Sequence, residues 1–243
     1  MDIRKEVNMD IYRIADLNIG VINHSEFTKK YMKDYLTDST DFDFTVEVTS
    51  EMISKEKEIV AEPVSEPYYE ITAILREVCK VVVREFNGFF LHCSCLCYNN
   101  EAYVFTAKSG TGKSTHSRLW REFLGDEVTM INDDKPIVRM IDDVFYIYGT
   151  PWDGKHRISN NIKAPIKAIY YLHQSEENRV EKCDPILALT KLLSQTVLPD
   201  NKVVMNHLLD MFEKLLSTTN VYDLYCNISY DAVQTVLDSI KEN

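Results

Sequence analysis

The sequence predicts an α/β (α+β) protein, a sheet with helices packed against it, and three observations predict this class. Residues 102–120 read as a short aromatic and β-branched strand, a glycine loop and the opening turns of a helix. Alternating apolar segments joined by two-residue turns of Asn or Asp recur on both sides of that unit, which is the pattern of hairpins. Residues 66–86 and much of the chain beyond Pro185 instead repeat their apolar side chains at helical spacing.

The elements follow in order. Residues 11–19 and 42–48 alternate as strands, and a short helix is expected over 26–36. Together they form a strand-rich N-terminal layer covering one side of the core. Residues 51–62, rich in Glu and Lys, read as a solvated connection. Ser65 and Pro67 suit the N-cap and first turn of a helix over 66–86, with Ile71, Ile74, Leu75, Val78, Val82 and Phe86 on its core face. Residues 89–98 then read as one strand, Asn99 and Asn100 as the turn, and residues 101–106 as the returning strand. An apolar strand ends in Asp133 and Asp134, and residues 135–140 and 144–148 form a hairpin across Asp142 and Asp143. Residues 165–172 are a further strand. Helices carry most of the remainder, with a strand expected over 222–228. This gives an accessory segment over residues 1–60 and a main domain over 61–243.

Composition narrows the function class. The chain of 243 residues has 45% hydrophobic and 27% charged residues, the balance of a globular protein with one sizeable core. Its 38 acidic and 27 basic residues give a net charge of −11, which excludes a generic nucleic-acid binder but leaves room for a local basic cleft. No apolar run is long enough for a membrane span, and no apolar signal opens the sequence, so a cytoplasmic location and reduced cysteines are expected. Cys93, Cys95 and Cys97 lack the turn spacing of a zinc site and read as small buried hydrophobes.

The chemistry concentrates in residues 107–115, AKSGTGKST. A glycine loop between a strand and a helix can wrap a polyphosphate with backbone N–H groups, aided by the positive end of the helix dipole. Ser109, Gly110, Thr111, Gly112, Lys113, Ser114 and Thr115 are the expected phosphate contacts, which the resemblance described below assigns to ATP. Lys113 would reach the β and γ phosphates, and the Ser114 hydroxyl would ligate Mg²⁺. Asp133 and Asp134 end a buried strand, where a base and a metal ligand are needed, although spacing alone is equally compatible with a turn pair. His92 alone reads as a hydrogen-bonded core residue; the strand pairing that leads into the glycine loop could also bring it to the phosphates. Residues 149–157, GTPWDGKHR, crowd Trp, Lys, His and Arg into one loop, the chemistry of a segment over a bound anion.

His92, AKSGTGKST, INDD and GTPWDGK, in this order and spacing, resemble the HPr kinase/phosphorylase and phosphoenolpyruvate-carboxykinase-like group. Within it the chain is most similar to the short HPr-kinase-related proteins, including those associated with peptide modification. The specific resemblance covers residues 88–175. It implies a P-loop fold with a mixed, largely antiparallel sheet flanked by helices, and Mg-ATP-dependent phosphorylation of a serine-type hydroxyl on a peptide, protein or small molecule. It further implies Asp133 as the base, Asp134 and Ser114 on the metal, His92 and Lys113 at the transferring phosphate, and Trp152, Lys155 and Arg157 on the acceptor side. Tyr146 stands where such kinases carry a metal-binding Glu, and Asp153 is the available substitute. The other readings of the same residues are an ATP-regulated peptide-binding module without phosphotransfer and a carboxykinase-like enzyme. No nucleic-acid or membrane partner is expected, and the helical C-terminal third is compatible with a homo-oligomer.

Overall fold

The computed structural model describes residues 8–59 and 63–241. Strands β1 (Met9–Ile14) and β2 (Leu17–Ile22) form a hairpin, and β3 (Phe44–Glu47) adds parallel to β2. The single strand expected over residues 11–19 is therefore two strands. Ala15 and Asp16 both adopt positive φ, 53° and 60°, the backbone of a tight two-residue turn, and neither is the Gly or Asn that advertises one. Between β2 and β3 lie α1 (Glu26–Tyr31), capped by Ser25, and a 3-10 turn over Lys33–Tyr35.

Residues expected as a solvated connection form α2 (Ser50–Ile59). One face of it is not solvated: Glu56 is buried and ion-paired with Arg76 of α3 (Glu66–Glu85). Ser65 and Pro67 open α3 as expected, although the Ser65 side chain makes no capping bond. The expected boundary between residues 60 and 61 lies outside the described residues.

The expected strand over 89–98 is likewise two, β4 (Gly88–Phe90) and β5 (Cys93–Tyr98). It breaks because β4 pairs with a different strand, and the His92 N–H leaves the ladder to donate to Gln195 O at 2.7 Å. His92 thus sits in the break, not on a strand. Then follow β6 (Glu101–Thr106), α4 (Lys113–Leu124), β7 (Val128–Asn132), β8 (Ile137–Ile141), β9 (Val144–Tyr148) and β10 (Lys163–Gln174). The C-terminal part contains β11 (Arg179–Lys182), α5 (Pro185–Leu193), α6 (Lys202–Thr218), β12 (Asn220–Cys226) and α7 (Tyr230–Lys241). The turns at Asn99–Asn100 and Asp142–Asp143 have positive φ throughout, as their residue types suggest.

The large sheet is mixed, in the order β4-β8-β9-β10-β6-β5-β7, with β12 on β10 and β11 on β12. Its parallel pairings are those of β10 with β6 and with β12; the rest are antiparallel. Helices cover both faces. Leu192, Leu208, Phe212 and Leu215 of α5 and α6 pack on one face, where Cys93 and Cys95 are fully buried core residues. Leu119, Trp120, Val233 and Val236 of α4 and α7 cover the other. A third cluster joins the N-terminal sheet to α3 and reaches Ile137, Tyr148 and Trp152, so the N-terminal layer shares a core with the main sheet. Among the described residues no helix is long and apolar enough to cross a membrane.

Candidate functional site

The site begins where β6 ends. Thr106 is paired with Cys93 on one side and Tyr171 on the other, so the chain leaves the sheet between two neighbours and turns at Ala107. The Thr111 N–H and hydroxyl both donate to Lys108 O, at 3.3 and 2.9 Å, closing the loop. Gln174 at the end of β10 donates to Thr111 O at 3.2 Å and holds it from outside. Gly110 and Gly112 have φ of 78° and 118°. A Cβ on either would meet nothing within 4 Å, so it is the backbone conformation and not crowding that calls for glycine. Gly112 is also the N-cap of α4, whose first turn, Lys113, Ser114 and Thr115, faces open space. The Lys113 ammonium is buried and donates to Ala107 O at 3.1 Å, lying across its own loop. Burial pulls its pKa down, against the pull of Cys93 and the two aspartates.

Beside the loop stand the two acids that end β7. Asn132, fully buried, accepts the Asp134 and Lys135 N–H groups at 2.9 and 2.8 Å and donates to Thr150 O at 3.0 Å. That fixes the turn from which both carboxylates project. Asp133 is buried and its Oδ1 accepts from Ser94 Oγ at 2.6 Å. Ser94 lies 2.5 Å from Ser117 Oγ of α4. Ser94 gives its single proton to the carboxylate, so the Ser117 hydroxyl, which also lies within donating distance of Lys113 O at 3.2 Å, shares its proton between Ser94 and that carbonyl. A two-hydroxyl relay therefore ties Asp133 to the helix that begins at the glycine loop. Asp134 is half-exposed, 3.4 Å from His92 Nε2 and paired with Lys135. Burial lowers the His92 pKa, and Lys113 lowers it further, with Asp134 opposing.

Together these groups line one cleft of about 960 Å³. Of the expected site residues, His92, Ser109, Gly110, Gly112, Lys113, Ser114, Thr115, Asp133, Asp134, Trp152, Lys155 and Arg157 all border it, whereas Thr111, in the same loop, does not. The expected residues are not equivalent, however. Trp152 is 2% exposed and its Nε1–H donates to Ile71 O at 3.0 Å, so it anchors the loop it belongs to and offers little surface. Arg157 donates to Tyr31 O at 2.8 Å and stacks on the Tyr31 ring at 3.7 Å. Asp153 faces Ser159 with one oxygen and Arg157 with the other, at 3.0 and 3.3 Å; burial raises its pKa and Arg157 opposes the rise. Tyr146 pairs within the sheet with Arg139 and Pro165 and does not border the cleft.

The far wall was not foreseen in the sequence. It is built by Tyr31 at the end of α1 and by Val64, Ser65, Tyr68, Ile71 and Thr72 at the start of α3. Ser94 and Asn132 were also missed as positioning residues. Strand alternation already set Ser94 on the face opposite Cys93 and Cys95, the face toward α4.

No family model matches the sequence, and no curated protein matches it. Among solved structures the chain is similar to the HPr(Ser) kinase/phosphatase from Coxiella burnetii, with 12% identity and a TM-score of 0.34 over 63% of this chain and 97% of that one. The geometry of the cleft, and not this likeness, is what bears on function.

Proposed function

We propose that this chain is a Mg-ATP-dependent phosphotransferase acting on a serine-type hydroxyl. The observation that carries the reading is a convergence: a glycine loop opening a helix, a buried lysine and a pair of acids border the same cleft. The loop and the first turn of α4 suit a polyphosphate, since backbone N–H groups and the helix dipole favour anions there. Lys113 needs only to leave Ala107 O to meet a phosphate oxygen.

The residues also fit magnesium. Among the described residues no group of three or more acids, histidines or cysteines could hold a metal alone. Mg²⁺ in nucleotide sites needs no such cage, being held by one or two protein ligands with the phosphates. Ser114 and Asp134 would hold it, and when bound it neutralises charge on the phosphates.

In the reaction the acceptor oxygen bonds to the γ-phosphorus as the bond from that phosphorus to the bridging oxygen breaks. ADP departs with the electron pair, and the hydroxyl proton passes to Asp133. Lys113 screens the charge between phosphates, while Ser94 and Ser117 keep Asp133 in register with the loop. Asp134, drawn toward His92 and Lys135, lies at the other side of the same turn. Positioning and electrostatics supply most of the acceleration in such transfers.

Two substitutions test the assignment, read by calorimetric nucleotide titration and by transfer from γ-labelled ATP to free serine and serine peptides. Lys113→Ala should weaken ATP binding about 100-fold or more. Asp133→Asn should hold ATP as the wild type does and lose about 10³-fold in turnover, within the range of a lost general base. Full activity in Asp133→Asn would remove the base, and tight ATP binding with no transfer to any acceptor would favour a nucleotide-regulated binding module instead.

A further inference from the structure

We propose that Lys135 holds the carboxylate assigned to the metal and yields it only to a cation that arrives with a polyphosphate, so that the site takes Mg-ATP and discriminates against free Mg²⁺. This rests on the phosphotransferase reading, in which Asp134 and Ser114 hold the metal. Asp134 has two oxygens to offer. One lies 3.4 Å from His92 Nε2, and the other is paired with the Lys135 ammonium. A divalent ion and that ammonium therefore compete for one carboxylate, and like charges so close together repel. Asp133 offers no alternative seat, being buried with one oxygen on Ser94 Oγ at 2.6 Å. Lys113 is not a competitor either, since its ammonium donates to the neutral Ala107 O.

The backbone beneath the pair is stitched down on both sides. The Asp134 N–H donates to Asn132 Oδ1 at 2.9 Å, and Asp134 O accepts from the Cys93 N–H at 3.2 Å. The Lys135 N–H is shared between Asn132 Oδ1 at 2.8 Å and Trp152 O at 3.1 Å, and Lys135 O accepts from Thr150 Oγ1 at 2.7 Å. Pro136 O accepts from the Leu91 N–H at 3.2 Å. Exchange at this turn is thus left to the side chains. An exposed ion pair is weak largely because two long side chains must be ordered together. Here the acid is short and both side chains spring from fixed roots, so the pair is cheaper to hold. A displaced ammonium swings about its root at the border of the cleft, as a flexible stem with a point charge allows. Free Mg²⁺ would break the pair and leave the ammonium without a partner. Mg-ATP breaks the same pair but brings phosphate oxygens with it, so both charges are met again.

The test titrates Mn²⁺, which takes the same oxygen ligands, into the full nucleotide-free chain and reads bound metal by electron paramagnetic resonance. Lys135→Met should bind Mn²⁺ about tenfold more tightly than the wild type, because the competing charge is gone. Lys135→Arg, which keeps the charge, should stay within about twofold of the wild type. The double variant Asp134→Asn/Lys135→Met should lose the gain. With the Mn²⁺ complex of a non-hydrolysable ATP analogue, Lys135→Met should show no gain, since the lysine's contact with the phosphates is lost along with the competition. Thermal melts establish that the variants are folded. An unchanged or weaker Mn²⁺ affinity in Lys135→Met overturns the proposal, as does a gain that persists without Asp134. An equal gain for free Mn²⁺ and for the nucleotide complex also overturns it, because the lysine would then obstruct both alike. None of these measurements involves turnover. A wild type that transfers phosphate to no acceptor removes the phosphotransferase reading, while the Mn²⁺ comparison still decides whether Lys135 guards Asp134.

Discussion

Ser94→Ala separates the placing of Asp133 from its identity. The change deletes one oxygen from a buried residue and leaves its volume almost intact, so packing on β5 is little disturbed. What it removes is the one hydrogen-bond donor to the Asp133 side chain among the described residues, at 2.6 Å, together with the acceptor that Ser117 Oγ meets at 2.5 Å. A hydrogen bond to an ionised group contributes about 1.5–3 kcal/mol net, and Asp133 is too buried for water to replace it fully. In a chain of this length about 2 kcal/mol corresponds to a fall in Tm of about 4–8 °C. The same loss frees the carboxylate to rotate off the acceptor hydroxyl, and kcat should fall tenfold or more, about 1.4 kcal/mol per factor of ten. ATP affinity should change little, because Ser94 reaches Lys113 only through Ser117, whose hydroxyl keeps its own bond to Lys113 O at 3.2 Å. Ser117→Ala is the internal comparison: it leaves the Ser94–Asp133 bond in place, and its cost should be about 1 kcal/mol with a smaller effect on kcat. Differential scanning calorimetry and steady-state transfer with saturating ATP measure both quantities. A Ser94→Ala protein with the melting temperature and kcat of the wild type would refute the reasoning, since Asp133 would then be held by something other than this relay.

Two further outcomes concern stability. His116, under the first turn of α4, is buried and has its pKa pushed down to about 3 by that burial; its Nε2 accepts from Trp120 Nε1 at 3.1 Å. Above the ordinary value near 6.5 the ring is neutral folded or unfolded, and its titration contributes nothing. As pH falls below 6.5 the unfolded chain takes up a proton that the folded one refuses, so stability drops by about 1.4 kcal/mol per pH unit until pH approaches 3. Urea melts at pH 7 and 4.5 should show a loss of about 3 kcal/mol attributable to this group, and His116→Gln should flatten the dependence by that amount. Gly149→Ala should be severely destabilising, by about 3 kcal/mol or more, because the new Cβ would lie 1.8 Å from Asn160 O and 2.7 Å from Ile131 O, both backbone atoms. Its yield of folded protein and Tm check this, and a melt within a degree or two of the wild type would show that the loop entering the cleft can shift freely.

How far the fold could be read from residues depended on whether the signal was local. The hairpins at Asn99–Asn100 and Asp142–Asp143 were legible because Asn and Asp tolerate the positive φ these turns require. The hairpin at Ala15–Asp16 uses the same backbone with an alanine in it, and nothing about alanine announces a turn. Helix α2 was hidden by its own polarity. Its Glu and Lys residues look like a solvated connection until Glu56 is seen buried against Arg76, a partner twenty residues away in the sequence. The break at His92 was hidden for the opposite reason. Both flanks suit a strand, and the interruption comes from Gln195 O, which draws the His92 N–H out of the ladder.

The same division runs through the site. Holding a polyphosphate is backbone chemistry: a loop of positive-φ glycines and the start of a helix, all within a few residues, so a short stretch of sequence suffices to announce it. The far wall is side-chain chemistry assembled from distant segments, and Arg157 reaches Tyr31 across 126 residues of sequence. Nothing local to Tyr31, Val64 or Tyr68 marks them, since each reads as an ordinary amphipathic position. The two halves should therefore fail differently. On the proposed reading, damage to the loop should weaken the grip on ATP whatever the acceptor, because the bound group would be common to every turnover. Damage to the wall should leave the loop, and with it the nucleotide affinity, unchanged, and nucleotide titration of a wall variant such as Tyr68→Ala measures this.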